Sequence, residues 1–396
     1  MFFWNRSILG LDIGSHSIKL VEVKHTKEGP IITCAKAISM EHEVEDSYTE
    51  MRKSLRKLLG TLKVRSKRVV TAVSSAEEQV ITHSIFMPDI TTDISEDAIR
   101  ASARIEAEEK DYIPYDMDYA LINFDIIGEA TVDGEQGLEI FFVSAHRDLI
   151  RARIELLRDV GLIPMAVEID ILALARLLGF TDSIDDDSDL AIVDIGASKT
   201  SLCFYQRGKP YLYPHIPTGG NALTDELSQR LQISWKRAEE YKKLQGNLNS
   251  SLGKAVINNC PEESIKFSFA GRLGDSLNAV NTGAKGSIES IEYTADEIFD
   301  VLKGGLERSD GLYTLLRSRL EYYEADFERP SKIIAGGGAI QLASLDEFMT
   351  SRLSIPLEKI SYLEKIPVDD KGDVSDINGN EPLFATAVGL ALKRKL

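Results

Sequence analysis

The sequence is short of positive charge. Lys and Arg number 46 against 63 Asp and Glu, giving a net charge of −17 over 396 residues. A field of that sign repels phosphate backbones and disfavours broad adhesion to anionic lipid, so nucleic acid is not an expected partner. Cysteine is scarce too. Cys34, Cys203 and Cys260 are scattered and none stands in a CxxC pair. Such a set suits a reducing cytoplasm and reads as buried apolar thiols. No apolar run reaches the roughly 18 residues that a membrane span needs. The start Met1-Phe2-Phe3-Trp4-Asn5-Arg6 is aromatic but short, with no cleavage site behind it. It is therefore not a signal peptide, and packing on the domain or fraying is expected of it.

What is present is an ordinary globular composition, 43% apolar and 28% charged. The length suggests two to three domains. The chain also carries a distant internal repeat. Ile8 to Val23 and Leu190 to Tyr205 each read as strand, Asp-Ile-Gly turn, strand. Asp12, Gly14 and Leu20 map onto Asp194, Gly196 and Leu202 at a constant offset of 182. A second turn follows each copy, Lys27-Glu28-Gly29-Pro30 and Arg207-Gly208-Lys209-Pro210, and then a third short strand, Ile31 to Ala35 and Tyr211 to Ile216. Helical spacing follows over Glu50 to Leu59, Leu149 to Val160 and Ile169 to Leu178. Alternating strands and helices predict an α/β architecture. The acidic stretch Thr181 to Asp189 reads as a solvated loop between the halves rather than a metal site.

A glycine-containing turn between two strands removes the side chain that would block a phosphate. Ser15, His16 and Ser17, with Ser198 and Thr200, would add donors nearby. Two such turns face to face would clamp a polyphosphate. Asp12 and Asp194 would stand where Mg²⁺ and its waters bridge to phosphate oxygens. One Asp-Ile-Gly is only a hairpin turn; two in equivalent frames are a stronger signal. A third element is Ile333-Ile334-Ala335-Gly336-Gly337-Gly338-Ala339, an apolar strand running into three glycines. The helical segment Ala343 to Leu353 behind it is expected to present its N-terminus to an anion or a base. Glu239 and Lys242 share a helix face three residues apart; a surface ion pair and a ribose and base contact both remain open for them.

The phosphate turns, the glycine strand and the closing Pro382 to Leu392 together resemble the actin-like ATPase superfamily, which includes actin, sugar kinases and FtsA. Finer features are similar to the PilM family of type IV pilus assembly proteins. These are Leu9 to Gly14, Glu106-Ala107-Glu108, Tyr112-Ile113-Pro114-Tyr115-Asp116, Gly161-Leu162-Ile163-Pro164, Val193 to Ala197 and Gly219 to Thr224. The resemblance runs from about residue 8 to the C-terminus. It implies an actin-like ATPase fold, two duplicated RNase H-like domains around a nucleotide cleft with a small inserted FtsA-type subdomain. The implied division is 1–82 with 151–180 as first domain, 83–150 as insertion and 190–396 as second domain. Within the insertion, Ile94 to Lys110 reads as a helix with Ile94, Ala98, Ala101 and Ile105 on one face, and Tyr119 to Ile127 and Leu138 to Ser144 read as strands.

The resemblance also implies roles. ATP would be held by Asp12, Gly14, Ser15, His16, Ser17 and Lys19 in the first loop. Asp194, Gly196, Ala197, Ser198 and Thr200 would form the second. Gly220, Glu239, Lys242, Gly336, Gly337, Gly338 and Ala339 would take ribose and base. Mg²⁺ would be reached through water by Asp12 and Asp194. Glu168 or Asp170 would orient a water; the alternative for both is an acid at a helix N-terminus. The implied partner is the N-terminal cytoplasmic peptide of a PilN-like inner-membrane protein, bound in a groove between the first domain and the insertion, with residues near Ile85, Phe86, Met87 and Arg104 as candidates; the alternative for the apolar Ile-Phe-Met stretch is core. That places the chain in the cytoplasm, at the inner face of the inner membrane, in a pilus or related secretion complex, with self-association open. Turnover of ATP is expected to be slow at most. Two other readings stay open: a small-molecule kinase of the same superfamily, and an FtsA-like filament protein at the membrane. The kinase would need an acceptor site, and no sugar-binding cluster stands out. FtsA-like chains typically end in an amphipathic membrane helix, whereas Lys393-Arg394-Lys395-Leu396 directly follows the last helical segment here.

Overall fold

A computed structural model describes residues 6–41, 47–75, 78–90, 94–132, 134–185, 187–212, 215–248 and 293–393. Cys260, the aromatic start and Arg394-Lys395-Leu396 lie outside the described residues. The chain opens with β1 (Arg6–Ile13), β2 (Ser17–His25), β3 (Pro30–Ser39), α1 (Ser47–Thr61) and β4 (Arg68–Val73). Next come β5 (Val80–Pro88), α2 (Glu96–Glu109), β6 (Ala120–Val132) and β7 (Glu135–His146). Then α3 (Arg147–Asp159), β8 (Ile163–Ile169) and α4 (Asp170–Phe180) return to the first sheet. The second half runs β9 (Leu190–Ile195), β10 (Thr200–Gln206), β11 (Lys209–Leu212), α5 (Gly220–Leu231) and α6 (Trp235–Gln245). It continues with α7 (Ala295–Glu307), α8 (Leu312–Tyr323), β12 (Ile333–Gly336), α9 (Leu345–Leu353) and β13 (Leu357–Lys359), and β14 (Val368–Asp373) and α10 (Glu381–Ala391) close the chain.

The two halves build the same sheet. One has the order β14-β3-β2-β1-β4-β8, the other β11-β10-β9-β12-β13. In each, a three-stranded antiparallel meander is extended on one side by two parallel strands, and in the first sheet β14 adds parallel to β3 on the other side. The 182-residue offset holds down to register. Asp12 pairs with Lys19 and Asp194 with Ser201. Gly14 N–H donates to Ser17 O at 3.1 Å, and Gly196 N–H to Lys199 O at 3.0 Å.

Between the sheets lie α4 and α10. Both are apolar nearly all round, as a helix covered on two sides must be. Their packing is backbone on backbone: a Cβ on Gly389 would sit 1.9 Å from Ala173 O. One core runs through both helices and both sheets, from Val21 and Ile32 to Ile192, Ile334 and Phe384. The inserted unit is a separate sheet, β5-β7-β6, with α2 packed on it around Ile85, Ile99, Leu138 and Phe142.

Several boundaries and faces differ from the sequence reading. The insertion's sheet starts at Val80 and ends at His146, so position 83 falls inside β5. The C-terminal part of 190–396 does not stay with the second sheet: β14 pairs with β3, and α10 packs on α4, β1 and β2. The third strand of the second meander is only Lys209–Leu212, with an isolated bridge from Ile216 to Thr200. Helix α2 buries Ile99, Ala103 and Ala107 and turns Ala98, Ala101 and Ile105 outward, with Ile94 exposed just before the N-cap Ser95; Ile105 is 57% exposed. Both stripes have helical spacing, and alanine-rich pattern alone did not separate them.

Candidate functional site

The ends of β1 and β9 bring the two Asp-Ile-Gly turns to one cleft of about 520 Å³, a size usual for small-molecule sites. The turns touch: Ser198 Oγ donates to Ser15 Oγ at 2.8 Å. Because the glycine N–H groups close their own turns, the loop residues beyond them, Ser15 to Ser17 and Ala197 to Lys199, are the ones lining the gap. Helix α5 starts against the second turn, with Gly220 N–H donating to Gly196 O at 3.0 Å and Asn221 N–H to Ala197 O at 2.7 Å.

Three carboxylates face this space, Asp12, Asp170 and Asp194. Asp12 is paired with Lys19 at 3.0 Å. Asp170 is the first residue of α4 and accepts from Ser74 Oγ at 2.7 Å, Ser75 N–H at 2.9 Å and Ser201 Oγ at 3.2 Å. Burial raises its carboxyl above the usual range despite these donors. Burial, then the charges of Asp170 and Asp12, push Asp194 up to about 7, with Lys19 and the Thr386 hydroxyl opposing. At Asp194 two neighbouring carboxylates thus face Lys19, while Lys199, Lys242 and Lys243 line the rest of the cleft.

At the other end, Lys242 Nζ donates to Glu239 Oε2 at 2.6 Å, to Gly220 O at 2.8 Å and to Thr224 Oγ1 at 2.6 Å. Thr224 Oγ1 donates in turn to Glu239 Oε2. Glu239 also pairs with Lys243 at 3.1 Å. Burial works to raise the Glu239 carboxyl, but Lys242, Thr224 and Lys243 outweigh it and hold it down to about 2. The pair is therefore a buried network on the cleft wall rather than a solvated surface pair. His16 reaches across from the first loop, 3.4 Å from Lys243 Nζ, with its ring 6.3 Å from that of Trp235. Burial and the neighbouring Lys243 lower its pKa, so the imidazole is neutral at pH 7.

Gly337 turns the end of β12 over Asp194. It has φ +91°, and a Cβ there would stand 2.3 Å from Ile195 O and 2.4 Å from Asp194 Oδ1. Gly338 and Ala339 follow it along the wall. The short 3₁₀ turn Ala339–Gln341 carries the chain on, and α9 begins only at Leu345, which is buried in the second core. The N-terminus expected of Ala343 to Leu353 is accordingly not at the cleft.

Of the residues singled out from sequence, three are placed elsewhere. Thr200 is fully buried and its hydroxyl donates to Thr218 O at 2.8 Å, so it is spent inside the second domain. Gly336 is the buried last residue of β12, and its Cα faces Leu174. Glu168 lies in β8 and is gripped by Arg176 at 2.6 and 2.9 Å and by Lys393. That pairing fixes it as an anchor for the C-terminal end of α10, not as a group orienting water. The candidate groove residues change as well. Ile85 and Met87 belong to the insertion's core, and Arg104 donates to Met117 O at 2.9 Å.

Cleft residues that sequence reasoning passed over include Ser74, Ser201, Thr386 and Lys243. Lys243 stood beside Lys242 and was legible. Ser74 and Thr386 come from segments that only the packing of α4 and α10 brings near Asp170 and Asp194.

Comparison with known proteins bears on the family and the fold. The family model described as type IV pilus assembly protein PilM matches residues 10–265, and that for cell division protein FtsA matches 191–389. A solved PilM–PilN type IV pilus biogenesis complex is similar at TM-score 0.72 and 23% identity, covering 98% of both chains. Curated relatives are cell division protein FtsA of Neisseria meningitidis, 25% identical over 52% of this chain and 43% of that one, and of Helicobacter pylori, 22% identical over 88% and 64%. The chain thus spans about half to two thirds of the length of these curated relatives. The fold is the actin-like ATPase fold, duplicated and carrying an insertion.

Proposed function

The chain belongs to the family of the type IV pilus assembly protein PilM, and from that membership we propose that it is an ATP-binding adaptor of an inner-membrane pilus or related secretion assembly. It works by binding the N-terminal cytoplasmic peptide of a PilN-like membrane protein. The observation that carries the nucleotide half is the pair of register-matched turns lining one cleft. The partner half rests on membership of the PilM family, whose model spans the insertion.

In this reading the two turns take the phosphate chain from opposite sides, and the Glu239–Lys242 network with Gly220, Gly338 and Ala339 forms the wall for ribose and base. Asp12, Asp170 and Asp194 offer hard oxygen donors in a cleft where burial, and then the charges of Asp170 and Asp12, push Asp194 up to about 7. Among the described residues no three carboxylates converge as direct ligands of one metal ion, so Mg²⁺ would be held through water by Asp12 and Asp194 together with the nucleotide phosphates. When bound, Mg²⁺ neutralises phosphate charge. The chain's own part is to fix the two domains around the nucleotide: the Ser15–Ser198 contact and the α4–α10 pair connect the halves. Closing or opening that cleft is the available means of altering a groove beside the first domain.

Among the described residues no helix is long and apolar enough to cross a membrane. Attachment to the inner face of the membrane then comes through the partner. Titration of the full chain with labelled N-terminal peptides of PilN-like proteins tests the reading, with and without Mg-ATP. Saturable binding is expected. Binding of an ATP analogue with no PilN-like peptide bound at any nucleotide state would overturn the adaptor role, and rapid acceptor-dependent turnover would replace it with a kinase.

A further inference from the structure

The chain's negative charge is concentrated. Residues 80–146, the inserted unit, hold 15 Asp and Glu against three Arg and Lys, so this one segment carries −12 of the chain's −17. Its arginines do not offset that field at the surface. Arg100 donates to Ile122 O at 2.8 Å and lies over the Phe124 ring, and Arg104 donates to Met117 O. Both are folded under α2 towards β6. Among the described residues, no ion pair engages the α2 carboxylates Glu96, Asp97, Glu106, Glu108 or Glu109.

On the same helix the outward stripe is apolar. Ala98, Ala101 and Ile105 recur at helical spacing and are exposed, and Ile94 is exposed just ahead of the N-cap Ser95. At 100° per residue, Asp97 and Glu108 flank one side of this stripe and Glu109 the other. An apolar strip edged by carboxylates complements an amphipathic segment whose polar face is Lys and Arg. Membrane proteins supply such segments: the cytoplasmic stretches next to their spans are enriched in Lys and Arg. Anionic lipid is the wrong partner for this face, because a net −12 repels it.

We propose that the outer face of α2 docks the Lys/Arg-rich stretch that flanks the membrane span of the partner protein, an acidic acceptor distinct from a groove that takes the partner's extreme N-terminus. This rests on the adaptor reading for the partner's being a membrane protein. It explains why an insertion in an acidic chain is so much more acidic than the rest.

The test uses the full chain and two probes. One is a synthetic Leu/Lys peptide with Leu at helical spacing, alongside a scrambled peptide of the same composition. The other is a PilN-like cytoplasmic tail with and without its Lys/Arg-rich stretch. Hydrogen exchange is expected to slow at α2 on addition of either basic probe. Ile105→Asp is expected to weaken both by about tenfold, Asp97→Asn with Glu108→Gln by several-fold, and higher salt to weaken wild-type binding. These positions are exposed, and circular dichroism checks that the variants remain folded. Equal affinity of the Ile105→Asp variant, equal binding of the scrambled peptide, or equal binding of phosphatidylglycerol vesicles would each overturn the proposal. A tail that binds wild type and Ile105→Asp equally removes the α2 site and leaves the adaptor reading standing. A tail that binds neither, while the Leu/Lys peptide distinguishes them, removes the adaptor reading and keeps the surface.

Discussion

Substituting Gly337 with alanine separates two costs that usually arrive together. Gly337 and Gly379 both have left-handed backbones, φ +91° and +72°. A side chain in that region costs about 1–2 kcal/mol in either place. Around Gly379 no atom lies within 4 Å of a new Cβ, so Gly379→Ala adds only this strain. At Gly337 the Cβ would stand 2.3 Å from Ile195 O and 2.4 Å from Asp194 Oδ1, far inside contact distance. Those atoms belong to the end of β9, so the β9 turn must move, at a further cost of roughly 1–3 kcal/mol. Thermal unfolding without ligand should show Gly337→Ala lowered by several degrees more than Gly379→Ala. Affinity for a fluorescent ATP analogue should fall about tenfold or more for Gly337→Ala and stay unchanged for Gly379→Ala, a gap of about 1.4 kcal/mol or more. Equal melting shifts, or wild-type analogue affinity in Gly337→Ala, would refute the coupling of Gly337 to the Asp194 turn and through it to the proposed nucleotide site.

Three further outcomes are expected. Asp194 has a folded-state pKa raised to about 7, so the folded protein binds a proton the unfolded chain has lost; stability of the ligand-free protein should fall as pH rises from about 4 to 7, and Asp194→Asn should flatten that decline in a pH series of melting curves while weakening the Mg²⁺ dependence of analogue binding. Glu239 is shifted the other way, down to about 2, so its contribution is present above about pH 4.5 and is lost as pH falls below it; acid unfolding should show that loss, and Glu239→Gln should remove it. Glu168→Gln should lower the melting temperature by releasing Arg176 and Lys393 yet leave analogue affinity intact, whereas Asp170→Asn should change analogue binding; the reverse pattern, read by fluorescence titration, would return Glu168 to the cleft.

The duplication was legible because a turn between two strands is a local event. Asp12 to Gly14 and Asp194 to Gly196 needed only strand pattern and a glycine, and their common register follows from that. Glu239 and Lys242 were legible as a pair but not as buried, since burial depends on Thr224 and Gly220 arriving from α5. Thr200 and Glu168 were misplaced for a related reason: a hydroxyl or carboxylate beside a motif looks available until its tertiary partner is known. Here those partners are Thr218 and Arg176. The return of β14 and α10 to the first half had no local signature, because it is fixed by where their apolar faces find cover. Helix α2 shows the limit most plainly. Its two alanine-rich stripes are equivalent by period, and only the sheet beneath decides that Ile99, Ala103 and Ala107 go in.

The central claim is that two matched turns close on one phosphate chain. Hydrogen exchange of the full chain with and without a non-hydrolysable Mg-ATP analogue tests it most directly. Slowed exchange is expected at three separated segments together, 13–17, 195–199 and 336–339, each lining the same cleft. Protection at only one turn, or at none while the analogue is bound elsewhere, would contradict it.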